Sequence, residues 1–395
     1  MVNIIMTSLP IFVCGVLSVL LGLNILCKWD RPRFCLLLFM LTATLLYIGH
    51  FTFFNHIKSA IPVTDSIYSF CNPAVFPMFY IYTEEMAIKY PSRRRQLLYL
   101  LPAFLCGTSV ALLYLLMDDK QTTLFIDHFI YGNDFVSLEG ICWWQVIAHF
   151  TVRIVFALEI PPVLILGWRH ITYYNQMVEN YYSNTEGKTL SFICQLLSIF
   201  AIAAIVSFIC NFIGRNYFTE SIWLTSIPSV AFSAILLLIG HYGLSQRFSI
   251  NDIEEEEEDM PVEPYTPLPL NANDGLANEI RRLMEEERLY LQPNLKINDL
   301  AMRLNTNRNY IYNAINGKMG ISFSEFVNQK RIEYAVQLME KNPDMYLTEI
   351  AHKSGFSSDS SFYRNFKIIM GCTPSEYQKN RGEQSLPAPC INKNL

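Results

Sequence analysis

Charged side chains are scarce in this sequence. Asp, Glu, Lys and Arg make up 16% of its 395 residues, where an ordinary soluble protein carries roughly 25%. A disordered chain needs more charge and less hydrophobicity than the 51% apolar content found here. A single soluble domain of this composition would lack the polar surface to cover itself. The ten cysteines include no C-x-x-C pair, and the seven histidines show no metal-ligand spacing. There is no P-loop, G-x-S-x-G, H-E-x-x-H or dinucleotide fingerprint. The sequence therefore predicts no cofactor, no metal site and no enzymatic centre.

What is abundant is apolar sequence in long runs. Seven of them fill residues 4–245, at about 4–27, 34–54, 67–87, 97–117, 143–168, 190–213 and 222–242. Each has about 20 residues, enough at 1.5 Å per residue to cross a hydrocarbon core of ~30 Å. In lipid the backbone must satisfy its own hydrogen bonds, so these runs are expected to be helices. The first is too long for a cleavable signal peptide and lacks a positive start. Basic residues orient the bundle. Lys28, Arg31, Arg33, Lys89, Arg93, Arg94, Arg95, Arg169, Lys188 and Arg247 fall on one side; Lys58, Lys120 and Arg215 fall on the other. The richer side is read as cytoplasmic. This predicts an inner-membrane protein with its N-terminus outside and residues 246–395 inside.

Residues 246–275 differ again. Asp252, Glu254 to Glu258, Asp259, Glu263 and Asp274 are acidic, Arg247 is the lone cation, and Pro261, Pro264, Pro267 and Pro269 suppress helix. Like charges and prolines predict an extended linker. Residues 276–382 are soluble in character, and between residues 296 and 381 the cations exceed the anions by four. Leu276, Ile280, Leu283, Met284 and Leu291 keep helical spacing. Two short helices follow, 297–304 and 308–316, broken at Thr306-Asn307, which is a helix-turn-helix spacing. Ser322 and Glu325 form a capping box that opens a 20-residue helix, 322–341, about 30 Å long. The short-helix pair then repeats at 347–354 and 360–370, with Gly355 in the turn and Phe356 as a buried anchor. Thr373-Pro374-Ser375-Glu376 is a second capping box with Pro at the first helical position. Ala301 with Ile311, and Ala351 with Phe362, take similar places in the two pairs. A rod of about 30 Å between two recognition helices nearly matches the ~34 Å pitch of B-DNA, so both would enter successive major grooves on one face.

The residues Ile297-Asn298-Asp299-Leu300-Ala301, Arg308-Asn309-Tyr310-Ile311 and Phe326 to Ile332 lead to a denser set. That set is Ile350-Ala351, Gly355-Phe356, Phe362 to Lys367 and Gly371 to Tyr377. With them, residues 276–382 resemble the AraC/XylS family of transcription regulators. The resemblance covers about a quarter of the chain. It implies a sequence-specific DNA-binding domain with two helix-turn-helix units (homeodomain-like), of a kind that usually activates through RNA polymerase. It also implies base reading by Asn309, Tyr312 and Asn313 in the first unit, and by Ser360, Ser361 and Arg364 in the second. Arg308, Lys318, Lys330 and Lys367 suit phosphate contacts, which position without specifying. The acidic linker would be a spacer, or a competitor that mimics DNA phosphate.

The predicted architecture is all-α. It places a seven-transmembrane bundle at 1–245, the linker at 246–275, the double helix-turn-helix domain at 276–382 and a tail at 383–395. In the bundle Arg153, Glu159, Glu84 and Glu85 are the ionisable candidates for an intramembrane ligand or ion-pair site. Pro161-Pro162 should kink the fifth span. His149 and His50 are read as packing residues, and the tyrosines near loop ends as interface anchors. Cys71 and Cys142 fall at outer ends of spans, where a disulfide is an option. The reading favoured is a one-component membrane-bound regulator. Its expected partners are double-stranded DNA, the bilayer, a small-molecule or envelope signal and a second copy of the chain. The alternatives are a transporter or membrane enzyme with an attached regulator, or a tethered factor released by proteolysis.

Overall fold

The computed structural model describes residues 2–132, 134, 136–213, 217–218, 221–245 and 272–379. The acidic stretch 246–271 and the tail from 380 onward lie outside the described residues, and with them the linker's expected extension and competitor role. The described residues are helical, with one isolated bridge between Tyr182 and Lys296. The chain divides into two compact units. The first holds Met1–Tyr173 and Leu190–Asn251; the second holds Tyr174–Thr189 and Asp252–Leu395.

The first unit is built from α1 (Val2–Cys27), α2 (Arg31–Phe54), α3 (Ile61–Ala87), α4 (Arg93–Leu116), the short α5 (Asp119–Phe125), α6 (Gly140–Tyr181), α7 (Ser191–Ile213) and α8 (Ile222–Ser245). Five of these, α1, α2, α4, α6 and α8, are long and apolar enough to cross a membrane. Helix α3 has 27 residues but carries Asp65, Glu84 and Glu85, all buried. It packs against α2 and α4, while α8 packs against α1. A polar residue is tolerable there because protein surrounds it. The outward faces carry the opposite chemistry. Leu115 is 81% exposed, and Phe12, Leu26, Leu97, Leu158 and Trp223 also point outward, an apolar exterior that water does not favour.

The helix α6 continues through Pro161 and Pro162 for 42 residues. One local expectation changes. Cys71 and Cys142 are both free thiols. Cys71 packs with Leu46 and Tyr68, whereas Cys142 sits in a separate cluster with Val110 and Phe125, so the two sulfurs belong to different cores.

The second unit contains α9 (Ala272–Glu286), α10 (Ile297–Arg303), α11 (Arg308–Tyr312), α12 (Phe323–Lys341), α13 (Leu347–Lys353), α14 (Asp359–Met370) and α15 (Pro374–Lys379). The helix expected to run to Leu291 stops at Glu286, because Arg288 adopts a left-handed φ of 50° before a 3-10 turn at Leu289–Leu291. The helix expected over 308–316 is α11 followed by a wider π turn, Asn313–Met319, that Gly320 closes at φ 71°. Ser322 caps α12 by accepting the Glu325 amide at 3.1 Å. At α15 the exchange is reciprocal: Thr373 N–H donates to Glu376 at 2.8 Å, and Glu376 N–H to the Thr373 hydroxyl at 3.2 Å. Phe356, Phe362 and Phe366 join Ile332, Ala335, Met339, Ile350 and Ala351 in one core. Gly355 has no substitute in its turn. Its φ is 85°, and an added Cβ would stand 2.6 Å from the Tyr290 carbonyl oxygen.

Candidate nucleic-acid interface

The two short-helix pairs of the second unit present their second helices with polar residues outward. On α11 and the turn after it, Asn309, Tyr312, Asn313 and Lys318 are exposed and Arg308 is half-buried. Asn307 starts α11 by accepting the Asn309 amide at 2.8 Å. On α14, Ser360, Arg364 and Lys367 are exposed. Ser361 is not: it is 6% exposed, and its backbone oxygen accepts from the Asn365 amide at 2.8 Å. The cap explains this. Ser358 accepts the Ser361 amide at 3.2 Å, which fixes the start of α14 and turns the third residue inward. Lys330, on α12, is half-buried and pairs with Glu333 at 3.2 Å, so it stands apart from the exposed set.

Behind these helices lies Arg331, 1% exposed. Its guanidinium donates to the carbonyls of Tyr290 (2.6 Å), Gln292 (2.6 Å) and Pro293 (3.3 Å), to Asn328 (3.1 Å) and to the Ser183 hydroxyl (3.2 Å). It also faces the Phe356 ring at 5.6 Å. Burial pulls its pKa down from the usual guanidinium range to about 9, which leaves it charged at neutral pH. One side chain thus ties the turn after α9 to α12 and to the core of the second helix pair.

Ser183 belongs to a stretch that sequence reading left in the loop after the fifth apolar run. Residues Tyr174–Thr189 are instead part of this unit. The Tyr181 hydroxyl accepts from Asn298 at 2.7 Å, and its ring lies under the Arg308 guanidinium at 5.7 Å. Asn180 accepts from Asn316 at 3.3 Å. Ser183 N–H donates to the Leu295 carbonyl at 3.0 Å, and its own carbonyl accepts from Ser324 (3.1 Å) and Asn328 (3.4 Å). The Ser358 hydroxyl donates to the Glu186 carboxylate, which therefore sits at the N-terminal end of α14. The stretch reaches both second helices. Tyr181 and Tyr182 are buried here.

The ionisable residues singled out in the first unit are not gathered in one place. Glu85 pairs with Arg31 at 2.9 Å, and Gln96 donates to Glu85 (2.7 Å) and Glu84 (3.1 Å). Arg153 faces the Phe150 ring at 5.3 Å. Both Glu159 oxygens are buried without a hydrogen bond among the described residues. A cluster the sequence reading missed is more fully formed. The Asp65 carboxylate accepts from the Tyr114 hydroxyl at 3.0 Å and lies 2.7 Å from His149 Nε2, while His149 Nδ1 lies 2.7 Å from the Gln145 carbonyl. Both ring nitrogens of His149 thus face oxygen atoms. A lone carboxylate early in an apolar helix was the available signal.

A family profile described as a helix-turn-helix domain matches residues 300–380. The chain is similar to the Msm operon regulatory protein of Streptococcus mutans, 25% identical over 149 residues. That match covers 36% of this chain and 48% of the relative. It is also similar to the HTH-type transcriptional regulator YtdP of Bacillus subtilis, 32% identical over 143 residues, covering 34% of this chain and 18% of that protein. A Staphylococcus aureus HTH-type transcriptional regulator is 29% identical over 119 residues, 30% of this chain and 16% of its own length. The chain thus spans about half of the first relative and under a fifth of the other two. No solved structure matches. The helix pairs, their caps and these matches agree: the C-terminal part of the chain carries an AraC-type helix-turn-helix domain.

Proposed function

We propose that the chain is a membrane-bound transcription regulator whose helical N-terminal unit senses a signal and whose C-terminal unit binds double-stranded DNA. The observation that carries this reading is the membership of Tyr174–Thr189 in the DNA-binding unit. In sequence this stretch joins two apolar helices, α6 and α7. A helix of 42 residues, about 63 Å, is long enough to cross a ~30 Å core and continue past it. Any shift of α6 or α7 is therefore delivered directly to Tyr181, Ser183 and Glu186. These residues touch Arg308 and Ser358, at the starts of the two recognition helices. A carboxylate at the start of α14 stands where a DNA phosphate would come, so withdrawal of the loop favours DNA.

The cation-rich loops support a topology with the N-terminus outside and the DNA-binding unit in the cytoplasm. Two helix-turn-helix units, joined by α12 of 19 residues or about 29 Å, read two half-sites on one face of the duplex. Arg364 reads guanine, Asn309 and Asn313 read adenine, and Arg308, Lys318 and Lys367 hold phosphates. Contact with RNA polymerase and pairing of two copies complete the scheme. The test is DNA capture from native membranes followed by sequencing. Arg364→Ala is expected to lose occupancy at its sites with membrane level unchanged; unchanged occupancy would overturn the assignment.

A further inference from the structure

The first unit encloses a cavity of about 160 Å³ among α1, α2, α3, α6, α7 and α8. It lies toward the start of α1, the end of α2 and the start of α8, which on the proposed topology is the outer half of the bilayer. Phe39, Phe76 and Phe200 form an aromatic wall, with Phe76 and Phe200 centroids 4.5 Å apart and Phe39 and Phe200 6.2 Å apart. Among the described residues His50 is the lone titratable nitrogen on the wall, and no described Asp, Glu, Lys or Arg lines it.

Two polar groups on this wall are unused. Asn72 is 6% exposed, and its carboxamide makes no hydrogen bond among the described residues. The Tyr47 hydroxyl, also on the wall, makes none either. An amide that faces a cavity without a protein partner has its hydrogen bonds to offer. A bundle that keeps one beside an apolar space is stabilised by whatever enters and pairs with it. An ion would meet no counter-charge among the described lining residues. A sugar is excluded, because its many hydroxyls would find too few partners. For size, an apolar cavity of about 150 Å³ accepts one benzene molecule.

We infer that this cavity is a binding site for a neutral, ring-sized amphiphile: one aromatic or short branched apolar body with a single hydrogen-bonding head that meets Asn72 and Tyr47. The ring lies against the phenylalanine wall, and the head takes the amide that the protein leaves free. As the source of the signal, the site rests on the membrane-sensor reading above; as a binding site, it rests on the fold alone.

The experiment uses the full chain in lipid nanodiscs, with 4-fluorophenol as the probe followed by fluorine NMR and 4-fluorobenzoate as the charged control. Saturable binding of the phenol and none of the benzoate is expected. Asn72→Leu should weaken binding about tenfold, the worth of about 1.4 kcal/mol, and Ala43→Phe, which fills the space, should abolish it. Tyr47→Phe removes one oxygen and decides the matter if Asn72→Leu does not fold; it should weaken binding several-fold. Equal uptake by wild type and all three variants means the probe merely dissolves in lipid, and overturns the site. So does equal binding of the benzoate, or a cavity found filled by a lipid acyl chain that the probe does not displace. A promoter reporter separates the two readings: binding as expected with an unresponsive reporter upholds the site and refutes the sensor role.

Discussion

In the first unit the Asp65 carboxylate lies between the Tyr114 hydroxyl and the His149 ring. In the second, the Arg331 guanidinium lies among three backbone carbonyls, an Asn and a Ser. Both groups are taken out of water, but the compensation differs. Where the exterior is apolar, the carboxylate is matched by two side chains that reach it from other helices. Where the exterior is polar, a charge is matched by carbonyl dipoles and keeps its sign. The same contrast holds at the surface. The first unit exposes Leu26 and Leu115; the second exposes Arg364, Lys367 and Lys318. The surroundings, rather than the residue type, decide how a charge is held.

This contrast can be broken by substitution. The largest effect is expected at His149→Leu, which takes from the buried Asp65 carboxylate its His149 partner and should cost about 3–5 kcal/mol. Thermal unfolding in detergent measures it, and adding Asp65→Leu should restore most of the loss. A single variant as stable as wild type would show that no charge is held there. Arg331→Leu should cost somewhat less, about 2–4 kcal/mol, because neutral carbonyls are left unpaired rather than a charge. Its damage should appear as protease sensitivity within residues 272–379, with the membrane unit intact. Gly355→Ala combines a left-handed φ with a backbone clash and should cost about 2 kcal/mol by the same assay. The smallest effect concerns Glu186. Glu186→Gln removes a carboxylate worth about 0.3–1 kcal/mol at a helix start, so DNA affinity of the full chain should rise up to about fivefold. A weaker complex would mean that Glu186 does not compete with phosphate.

Much of the fold was legible because it is written locally. Apolar runs of about 20 residues need no distant partner to be helices in lipid. The paired short helices announce themselves through Asn307, Ser358 and Thr373 at their starts and Gly355 in a turn. Features with long sequence separation were not legible. Ser183 meets Arg331 from 148 residues away, and nothing in a loop of Tyr, Ser and Asn announces that partner. Facing was legible only to within a turn: Ser361 lies one residue from exposed Ser360, and 100° of helix rotation puts it inside. In the bundle, rarity of charge pointed to Arg153, Glu159, Glu84 and Glu85. It did not indicate that Glu85 would be met by Arg31 from the start of α2, or that Asp65 and His149 would find each other 84 residues apart.

The coupling claim rests on the loop after α6 being built into the DNA-binding unit, and proximity tests it most directly. The Asn184 amide donates to the Asn294 side chain at 3.4 Å; Asn294 is exposed and Asn184 half-buried. In native membranes, Asn184→Cys with Asn294→Cys should be joined by a short bismaleimide. After cleavage at a protease site placed in residues 246–271, the C-terminal fragment should then stay attached to the membrane half on a denaturing gel, and run free when either cysteine is omitted. A fragment that runs free from the double variant, under conditions that label both cysteines, would contradict the account.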